Sequence, residues 1–534
     1  MAIKSYYVPY TETNSFSGLV NDYIGRKEIL RDFYRFSPDA SGVEAAILER
    51  PHYPVDRQIL VQVLEDQYRQ LPSLDTVSAN IRSLADETTF TVCTAHQPNL
   101  LGGYLYFFYK ILHAVRIAEE LNGKHPGKHF VPVYYMGSED NDLDELGRFL
   151  YNEKQYIWDA AGQTGAVGRM VTESLATLLN EFFHRIGPPG WNKETLQELL
   201  TEAYLGHKTI GEATRYWVHR LFGPYGLVVL DPDDARLKAR FVSVMKDDLL
   251  GHTAASIVAD TNRKLEQHYK AQAFVRPVNL FYLRDNIRER IEHADGRYQV
   301  LNTGISFTEA EILEELSSFP DRFSPNVILR GMYQESILPD VCFVGGGSEV
   351  AYWLQLMPLF EHYRVFFPQV MLRQSVQLIQ PEAVRLLEKL DLQPTDIFED
   401  PVSRMKEWVR RQYRTDELLQ PERETMRQLL QSLTGKAVQA DTTLEKAVAA
   451  SGAKIRKQLD RIDKKITSAY LKKEEVTRER LLRLREWTHP GGGLQERTEN
   501  FSTYFLMQGF SIFEEIKNAI KPFANEFLIV VPDL

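Results

Sequence analysis

Cysteine is scarce in this sequence, which has two, Cys93 and Cys342, among 534 residues. They form no CxxC pair and no spaced Cys/His framework, which argues against a disulfide scaffold and against a Cys-rich structural zinc site. We therefore predict no metal site and expect reduced thiols, as in a cytosolic protein.

Long apolar runs and a net positive charge are also lacking. No run reaches the roughly 20 residues needed to span a bilayer, and residues 1–10 lack the basic and apolar regions of a signal peptide. The net charge of −10 provides no overall basic field to attract nucleic acid or an anionic membrane. We expect a cytoplasmic protein that binds neither nucleic acid nor a membrane, and any phosphate-bearing ligand must be held by a local site.

What is present is a long chain with the composition of a globular protein, 43% hydrophobic and 25% charged. Its length allows two or three domains. Composition along the chain predicts a mostly helical segment at 1–88, a core with insertions at 89–376, a helical coiled-coil domain at 377–500 and a segment at 501–534 that returns to the core.

The core prediction begins with a strand–helix–strand unit. Residues 88–94 and 129–136 are rich in β-branched and aromatic residues and predict strands, with a helix at 104–121 between them. Such a unit places two parallel strands on either side of a right-handed crossover. Further strands are predicted at 226–230, 278–283, 341–344, 365–371 and 527–531. The pattern predicts an α/β fold with a parallel-sheet core and helical insertions.

A heptad repeat marks the C-terminal helical region. Its apolar residues are Val448, Ile455, Ile462, Ala469 and Val476. Seven-residue spacing indicates a coiled coil, although Gly452 and Lys473 interrupt the second seam position. The partner is either another segment of this chain, such as 404–433, or the same segment of a second copy. We expect a homodimer through the coiled coil, because a long exposed apolar seam is a liability in a monomer.

The first candidate site follows the first strand of the unit. His96 and Gln97 lie at its carboxyl end, where open α/β sheets bind ligands, and they could donate hydrogen bonds to a phosphate or carboxylate. Gly102 and Gly103 would let the backbone approach a ligand closely. The alternative is an ordinary capping loop, since neither GxGxxG nor GxxxxGK[ST] occurs here.

The second candidate is the acidic run 137–145, which follows the second strand. Its carboxylates could hold an ammonium group, accept hydrogen bonds from sugar hydroxyls, bind Mg²⁺ or act as a general base. The alternative is a solvated helix start, because Asp, Ser and Glu are favoured at caps and first turns. Five carboxylates in seven residues exceed what capping needs, which favours function.

The third candidate is the Gly345–Gly346–Gly347–Ser348 turn between a strand and a helix that we expect to begin near Glu349. Three glycines permit close approach of a ligand, and Ser348 could cap the helix. Upstream, Arg330 could bind a carboxylate or phosphate bidentately. The alternative, an ordinary glycine-rich turn, is equally compatible with the spacing.

Together these segments resemble the bacillithiol-synthesis cysteine-adding enzyme family, which has a Rossmann-like core and a coiled-coil domain. The resemblance rests on residues 94–97, 102–106, 109–111, 139–142 with Glu145, 324–326 with Arg330, 338–339, 344–347 and 349–353. It extends over essentially the whole chain, with the first 90 or so residues least distinctive.

The resemblance implies a ligase that joins cysteine to glucosaminyl malate, whose amine attacks an activated cysteine carboxylate. It implies ATP as cofactor, since the core is similar to that of class I aminoacyl-tRNA synthetases, with Mg²⁺ as a further candidate. The roles it implies are catalysis by His96, Gln97, Asp140 and Asp142, substrate binding by Glu139, Asn141, Arg330, Gly346, Gly347, Ser348 and Glu349, and nucleotide binding by His96, Gly102, Gly103 and Tyr106.

The sequence departs from the family pattern most notably at Asn141, where a His is usual. An amide cannot exchange a proton near neutral pH as imidazole can, so a general base here would have to be another residue such as Asp140 or Asp142.

Two alternative functions stay open: a nucleotide-binding, coiled-coil scaffold of the same pathway, or a synthetase-like nucleotidyltransferase acting on another acceptor.

Overall fold

The computed structural model describes residues 3–187 and 189–533. The strands are β1 Ile3–Pro9, β2 Thr89–His96, β3 His129–Met136, β4 Arg148–Tyr151, β5 Lys154–Ile157, β6 Val228–Leu230, β7 Leu280–Arg284, β8 Ile287–Ala294, β9 Arg297–Val300, β10 Ser306–Phe307, β11 Phe323–Pro325, β12 Asp340–Gly345, β13 Gln369–Leu372, β14 Val376–Leu378 and β15 Glu526–Pro532.

The helices up to the end of the core are α1 Tyr10–Thr13, α2 Gly18–Ile24, α3 Ala40–Glu49, α4 Arg57–Tyr68, α5 Asp75–Ser83, α6 Leu105–Lys124, α7 Leu143–Leu146, α8 Leu175–Arg185, α9 Trp191–Gly206, α10 Ile210–Phe222, α11 Ala235–Lys238, α12 Val242–Leu250, α13 Thr253–Leu265, α14 Glu309–Ser318, α15 Val327–Ile337, α16 Gly347–Trp353 and α17 Met357–Tyr363. Those that follow are α18 Pro381–Lys389, α19 Pro401–Tyr413, α20 Thr415–Leu418, α21 Gln420–Ala440, α22 Leu444–Lys473, α23 Glu475–Thr488, α24 Ser502–Gln508 and α25 Ser511–Ala519.

The chain divides into two compact units. The core unit comprises Tyr7–Gln377 and Gln495–Val530, and the helical unit comprises residues 3–6, 378–494 and 531–533. Across the described residues, none of the helices combines the length and the apolar character that a bilayer crossing demands.

The centre of the core unit is a five-stranded parallel sheet in the order β13-β12-β2-β3-β6. Strands β2 and β3 pair without interruption from Thr89↔His129 to His96↔Met136, and α6 packs on both. Burial of β2, β3 and β12 along nearly their whole length explains their continuous runs of β-branched and aromatic residues. The predicted strand–helix–strand unit and parallel α/β core are confirmed.

A second, antiparallel sheet in the order β10-β9-β8-β7-β11 is inserted between β6 and β12. The strand predicted at 278–283 belongs here, as β7, so its assignment to the parallel core was wrong. A two-residue turn containing Asn286, at φ 58°, returns the chain directly from β7 to β8, and so short a connection can join only antiparallel strands. This sheet contributes one wall of the cleft described below.

In the helical unit, α21 and α22 form an antiparallel hairpin. Leu430 of α21 packs against Gly452 of α22 so closely that a Cβ at Gly452 would lie 2.9 Å from Leu430 Cδ1. The predicted heptad interruption at Gly452 is thus a point of close approach between two helices of the same chain. Ile455 and Ile462 stay 43% and 48% exposed, and the homodimer stays a prediction.

Candidate active site

A cleft of about 680 Å³ opens at the carboxyl edge of the parallel sheet, where α/β folds commonly bind ligands. The strand ends of β2, β3, β12 and β13 contribute its base. The predicted site residues that line it are His96, Gln97, Tyr106, Asp140, Arg330, Gly346, Gly347, Ser348 and Glu349. The three segments singled out in the sequence therefore meet in one place.

The cleft is rich in positive charge although the protein carries a net charge of −10. Its cationic side chains are Lys110, Arg276, Arg288, Arg290, Arg330, Arg373 and Arg497, against the carboxylates Asp140, Glu145 and Glu349. Within the described chain, the guanidinium groups of Arg276 and Arg497 have no hydrogen bond or ion pair. A surplus of cations in a partly enclosed cleft favours an anionic ligand.

His96 ends β2 and faces the cleft with its ring against Tyr106 and Phe107, at centroid distances of 5.4 and 5.3 Å. Its Nε2 is buried and has no hydrogen-bond partner among the described residues. Burial, with Lys110 and Arg373 nearby, lowers the pKa of His96 well below its ordinary value. The imidazole is therefore neutral near pH 7, with one nitrogen available to a ligand.

Asp140 links the first two candidate segments. Gln97 Nε2 donates to Asp140 Oδ2 at 3.2 Å, and Arg330 Nη1 lies 3.6 Å from the same oxygen. Burial disfavours the charged carboxylate, but Arg330, Arg288 and Gln97 outweigh it and hold the pKa of Asp140 below its ordinary value. Asp140 is thus an ionised acceptor and a weak base.

Asn141 supports the wall of the cleft. Arg288 Nη1 donates to Asn141 Oδ1 at 2.9 Å, and Asn141 Nδ2 donates to the Arg288 carbonyl at 3.2 Å. The Arg288 guanidinium lies 4.0 Å from the Phe281 ring centroid, and burial with Arg330 nearby lowers the pKa of Arg288 to about 10. Asn141, where the resemblance led us to expect a His, therefore orients an arginine.

Glu145 is the carboxylate of the acidic run best suited to accept a proton. It lines the cleft, and burial together with Asp142 and Asp140 raises its pKa. A carboxylate with a raised pKa is a stronger base than one held by arginines. Glu145 was part of the sequence resemblance but had no predicted role.

The glycine-rich turn differs in one respect from its prediction. Helix α16 begins at Gly347, so Ser348 lies in its first turn and is exposed, and the expected Ser348 cap is wrong. The Glu349 carboxylate accepts the Gly346 N–H at 2.7 Å and satisfies this end of the helix. Glu349 also forms an ion pair with the buried Lys110, whose Nζ donates to the Ala95 carbonyl at 2.9 Å.

Arg373 lies directly after β13 and is held from the opposite side by Glu496. Nη1 and Nη2 of Arg373 donate to the two carboxylate oxygens at 2.7 and 2.6 Å, and both side chains are almost fully buried. Arg373 Nε is buried and has no hydrogen-bond partner in the described part of the chain.

Five predicted site residues do not line the cleft, among them Asn141, which supports its wall as described above. Glu139 is buried in an ion pair with Lys238, and Asp142 is exposed and accepts the Glu145 N–H at 3.1 Å as the cap of α7. Gly102 and Gly103 adopt φ values of 71° and 62° in a buried turn. Glycine at these two positions permits the positive φ values of the turn, as expected if this segment is an ordinary capping loop.

Several cleft residues were not predicted. Arg373 could have been found by applying the carboxyl-end rule to the strand predicted at 365–371. Arg276, Arg288 and Arg290 come from the antiparallel insertion and the loop before it, and Arg497 comes from the C-terminal segment. No local motif distinguishes these four arginines from surface ones.

The chain was compared with known families and proteins. Residues 1–374 match the model "Bacillithiol biosynthesis BshC, N-terminal Rossmann-like domain", and residues 376–531 match "Bacillithiol biosynthesis BshC, C-terminal coiled-coil domain". Similar proteins named "Putative cysteine ligase BshC" occur in Flavobacterium johnsoniae, 36% identical over 98% of this chain and 99% of the relative, and in Christiangramia forsetii, 37% identical over 98% of each. The relative of that name in Cytophaga hutchinsonii is 37% identical over 96% of each chain.

Proposed function

The chain belongs to the BshC family of bacillithiol biosynthesis, as its motifs predicted, and on that premise we propose that it is a ligase that joins cysteine to glucosaminyl malate. The observation that supports this most is the cationic cleft at the carboxyl edge of the parallel sheet. Both reactants and ATP carry carboxylate or phosphate groups, and arginine is well suited to bind either.

The reaction forms an amide bond. The amine of glucosaminyl malate attacks the activated carboxyl carbon of cysteine, the C–N bond forms, and the leaving group departs with the electrons of the C–O bond. The attacking nitrogen must then lose a proton, and Glu145 is the group proposed to accept it, because its pKa is raised. Asp140, anchored by Gln97 and Arg330, would hold the amine or a sugar hydroxyl in place.

The cationic side chains fit the phosphates of ATP, which when bound would supply the energy for activating the cysteine carboxylate. Arg276 and Arg497, at the exposed rim, and Arg330 are the residues proposed to hold anionic groups of nucleotide and malate. Among the described residues, no three or more His, Cys, Asp and Glu side chains are grouped as metal ligands.

The test is mass spectrometry of the full chain incubated with cysteine, glucosaminyl malate, ATP and Mg²⁺, and with each component omitted in turn. The expected product is the cysteinyl amide, together with either AMP or ADP, which would identify how the carboxylate is activated. Transfer of a nucleotide to another amine would indicate a nucleotidyltransferase. Nucleotide binding without any product, joined to stable binding of a pathway enzyme, would indicate a scaffold.

The base has its own test. Glu145→Gln should lower kcat by about 10²-fold with small changes in KM, because the amide cannot accept the proton. Asp144→Asn is the matched control, since the Asp144 side chain in the same segment is fully exposed. Equal loss of activity in both variants would contradict the role of Glu145.

A further inference from the structure

We propose that the floor of the cleft, formed by Arg373, Lys110, His96 and Gly346, holds one anionic oxygen group of a substrate, and that Glu496 is the positioning residue for Arg373. The group is a phosphate or a carboxylate. The inference rests on the proposed function only in that this reaction supplies substrates bearing such groups.

The first observation is the state of Arg373. Its side chain is 2% exposed, and Glu496 occupies both terminal nitrogens. Ser375 Oγ accepts a second N–H of Nη1 at 3.1 Å, and Nε is the one guanidinium nitrogen of Arg373 without a hydrogen-bond partner in the described residues. Because a buried donor without an acceptor is costly, the arrangement is favourable only if something else accepts from Nε.

The direction of that free donor is given by Gly346. A Cβ built at Gly346 would lie 3.3 Å from Glu349 Oε2, 3.9 Å from Arg373 Nε and 4.0 Å from Lys110 Cε. The backbone there has φ −75°, which any residue adopts, so conformation does not require glycine at this position. What the missing side chain provides is space beside two buried cations, Arg373 and Lys110, of which Lys110 is already paired with Glu349.

The other two side chains suit the same ligand. Lys110 Nζ makes contacts with the Ala95 carbonyl and with Glu349, and an ammonium group has a third N–H to donate. His96 adds a neutral imidazole whose buried Nε2 is unpartnered. Arg373 and Lys110 thus flank Gly346, His96 lines the same cleft, and an oxygen-rich anion could use the free capacity of all three.

Glu496 fixes this geometry from outside the sheet. It belongs to the C-terminal segment of the core unit and lies 123 residues from Arg373 in sequence. Because Glu496 accepts hydrogen bonds from both terminal nitrogens of Arg373, the guanidinium cannot turn those nitrogens toward the cleft. Nε is therefore the nitrogen on the side of Gly346. The same pairing offsets the charge of a buried arginine without using its Nε–H.

The test compares binding of ATP, cysteine and glucosaminyl malate, each alone, by titration calorimetry of the full chain. The variants are the double Arg373→Gln/Glu496→Gln, which removes both charges together, and Arg373→Lys, which keeps a cation beside Glu496 but lacks the Nε donor. Arg263→Gln, an exposed residue on α13, is the control. Circular dichroism establishes that each variant is folded.

We expect both Arg373 variants to weaken one of the three ligands at least tenfold, with the affected ligand identifying the group bound. KM for that substrate should rise while the other KM values stay within twofold, which a merely structural role would not produce. Folded variants that bind all three ligands as tightly as the wild type would overturn the proposal, as would wild-type protein that binds none. If the double variant does not fold, Arg373→Lys decides alone. If the wild-type protein binds one of these ligands and the Arg373 variants weaken that binding, but no amide product forms, the proposed function is refuted and this inference stands.

Discussion

Loss of charge at two adjacent carboxylates, Glu139 and Asp140, should have different effects: it should lower stability at Glu139 and activity at Asp140. Glu139 is 6% exposed and pairs with Lys238, which is 1% exposed and lies 3.0 Å from Asp233. Ser324 Oγ also donates to Glu139 at 3.1 Å. The sequence suggested a substrate-binding role for Glu139, whereas its surroundings predict a role in stability.

The expected cost of Glu139→Gln follows from these contacts. Removing one member of a buried ion pair typically costs about 3–5 kcal/mol. Lys238 retains Asp233 as a partner, which places the expected loss near the lower end, about 3 kcal/mol. The free energy of unfolding from urea denaturation measures this, and activity per folded molecule should stay near that of the wild type.

A double-mutant cycle makes the test sharper. Glu139→Gln combined with Lys238→Met removes both charges of the pair. Asp233 keeps Arg169 as a partner, because Arg169 Nε lies 2.6 Å from the Asp233 carboxylate. The double variant should therefore lose less stability than the sum of the single variants. A Glu139→Gln protein within about 1 kcal/mol of the wild type but with a raised KM would refute the structural role. In the contrasting variant, Asp140→Asn, activity should fall and stability should change little.

Three further predictions address other parts of the molecule. Gly346→Ala should raise KM about tenfold, equivalent to roughly 1.4 kcal/mol, because the new methyl would fill the space beside Arg373 Nε and crowd Glu349 Oε2 at 3.3 Å; unchanged KM values for every substrate would contradict this. His113 accepts the Gln374 N–H at 3.0 Å, and burial lowers the pKa of His113 to about 4. Between pH 6.5 and 4 this histidine is therefore protonated in the unfolded chain but not in the folded protein. Stability should fall by about 3 kcal/mol as pH falls through that window, and His113→Gln should flatten the slope in urea titrations at several pH values. Gly452→Leu should destabilise the α21–α22 hairpin by about 1–3 kcal/mol through overpacking, seen as an earlier thermal transition by circular dichroism.

Local sequence pattern was enough to predict the central strand–helix–strand unit. Strand β3 was predicted with its observed bounds, 129–136, because a fully buried parallel strand is a continuous apolar run between polar loops. The same rule located Gln97, Asp140 and the Gly346 turn, since residues that follow parallel strands meet at one edge.

The rest of the cleft depends on tertiary structure. Arg288 sits on an antiparallel strand whose sequence does not show that it will cover the parallel sheet, and Glu496 reaches Arg373 from 123 residues away. That Gly102 and Gly103 lie outside the cleft lining could not be predicted locally, because a glycine pair is equally typical of a ligand loop and of a turn with positive φ.

The pairing of charges separates structural from functional residues in this core. Lys238 is a buried cation that lies within ion-pair distance of two carboxylates, and such an arrangement is complete without a ligand. In the cleft, the guanidinium groups of Arg276 and Arg497 form no hydrogen bond or ion pair within the described chain, and Arg373 Nε has no hydrogen-bond partner there. The protein has a net charge of −10 and therefore more acidic than basic residues. These cations are thus not left unpaired because the chain lacks carboxylates. Unpaired cations that line a partly enclosed cleft repel one another, and binding of an anion relieves that repulsion. The free energy so released would add to substrate affinity, which is why the least balanced cations are the ones to examine first for binding.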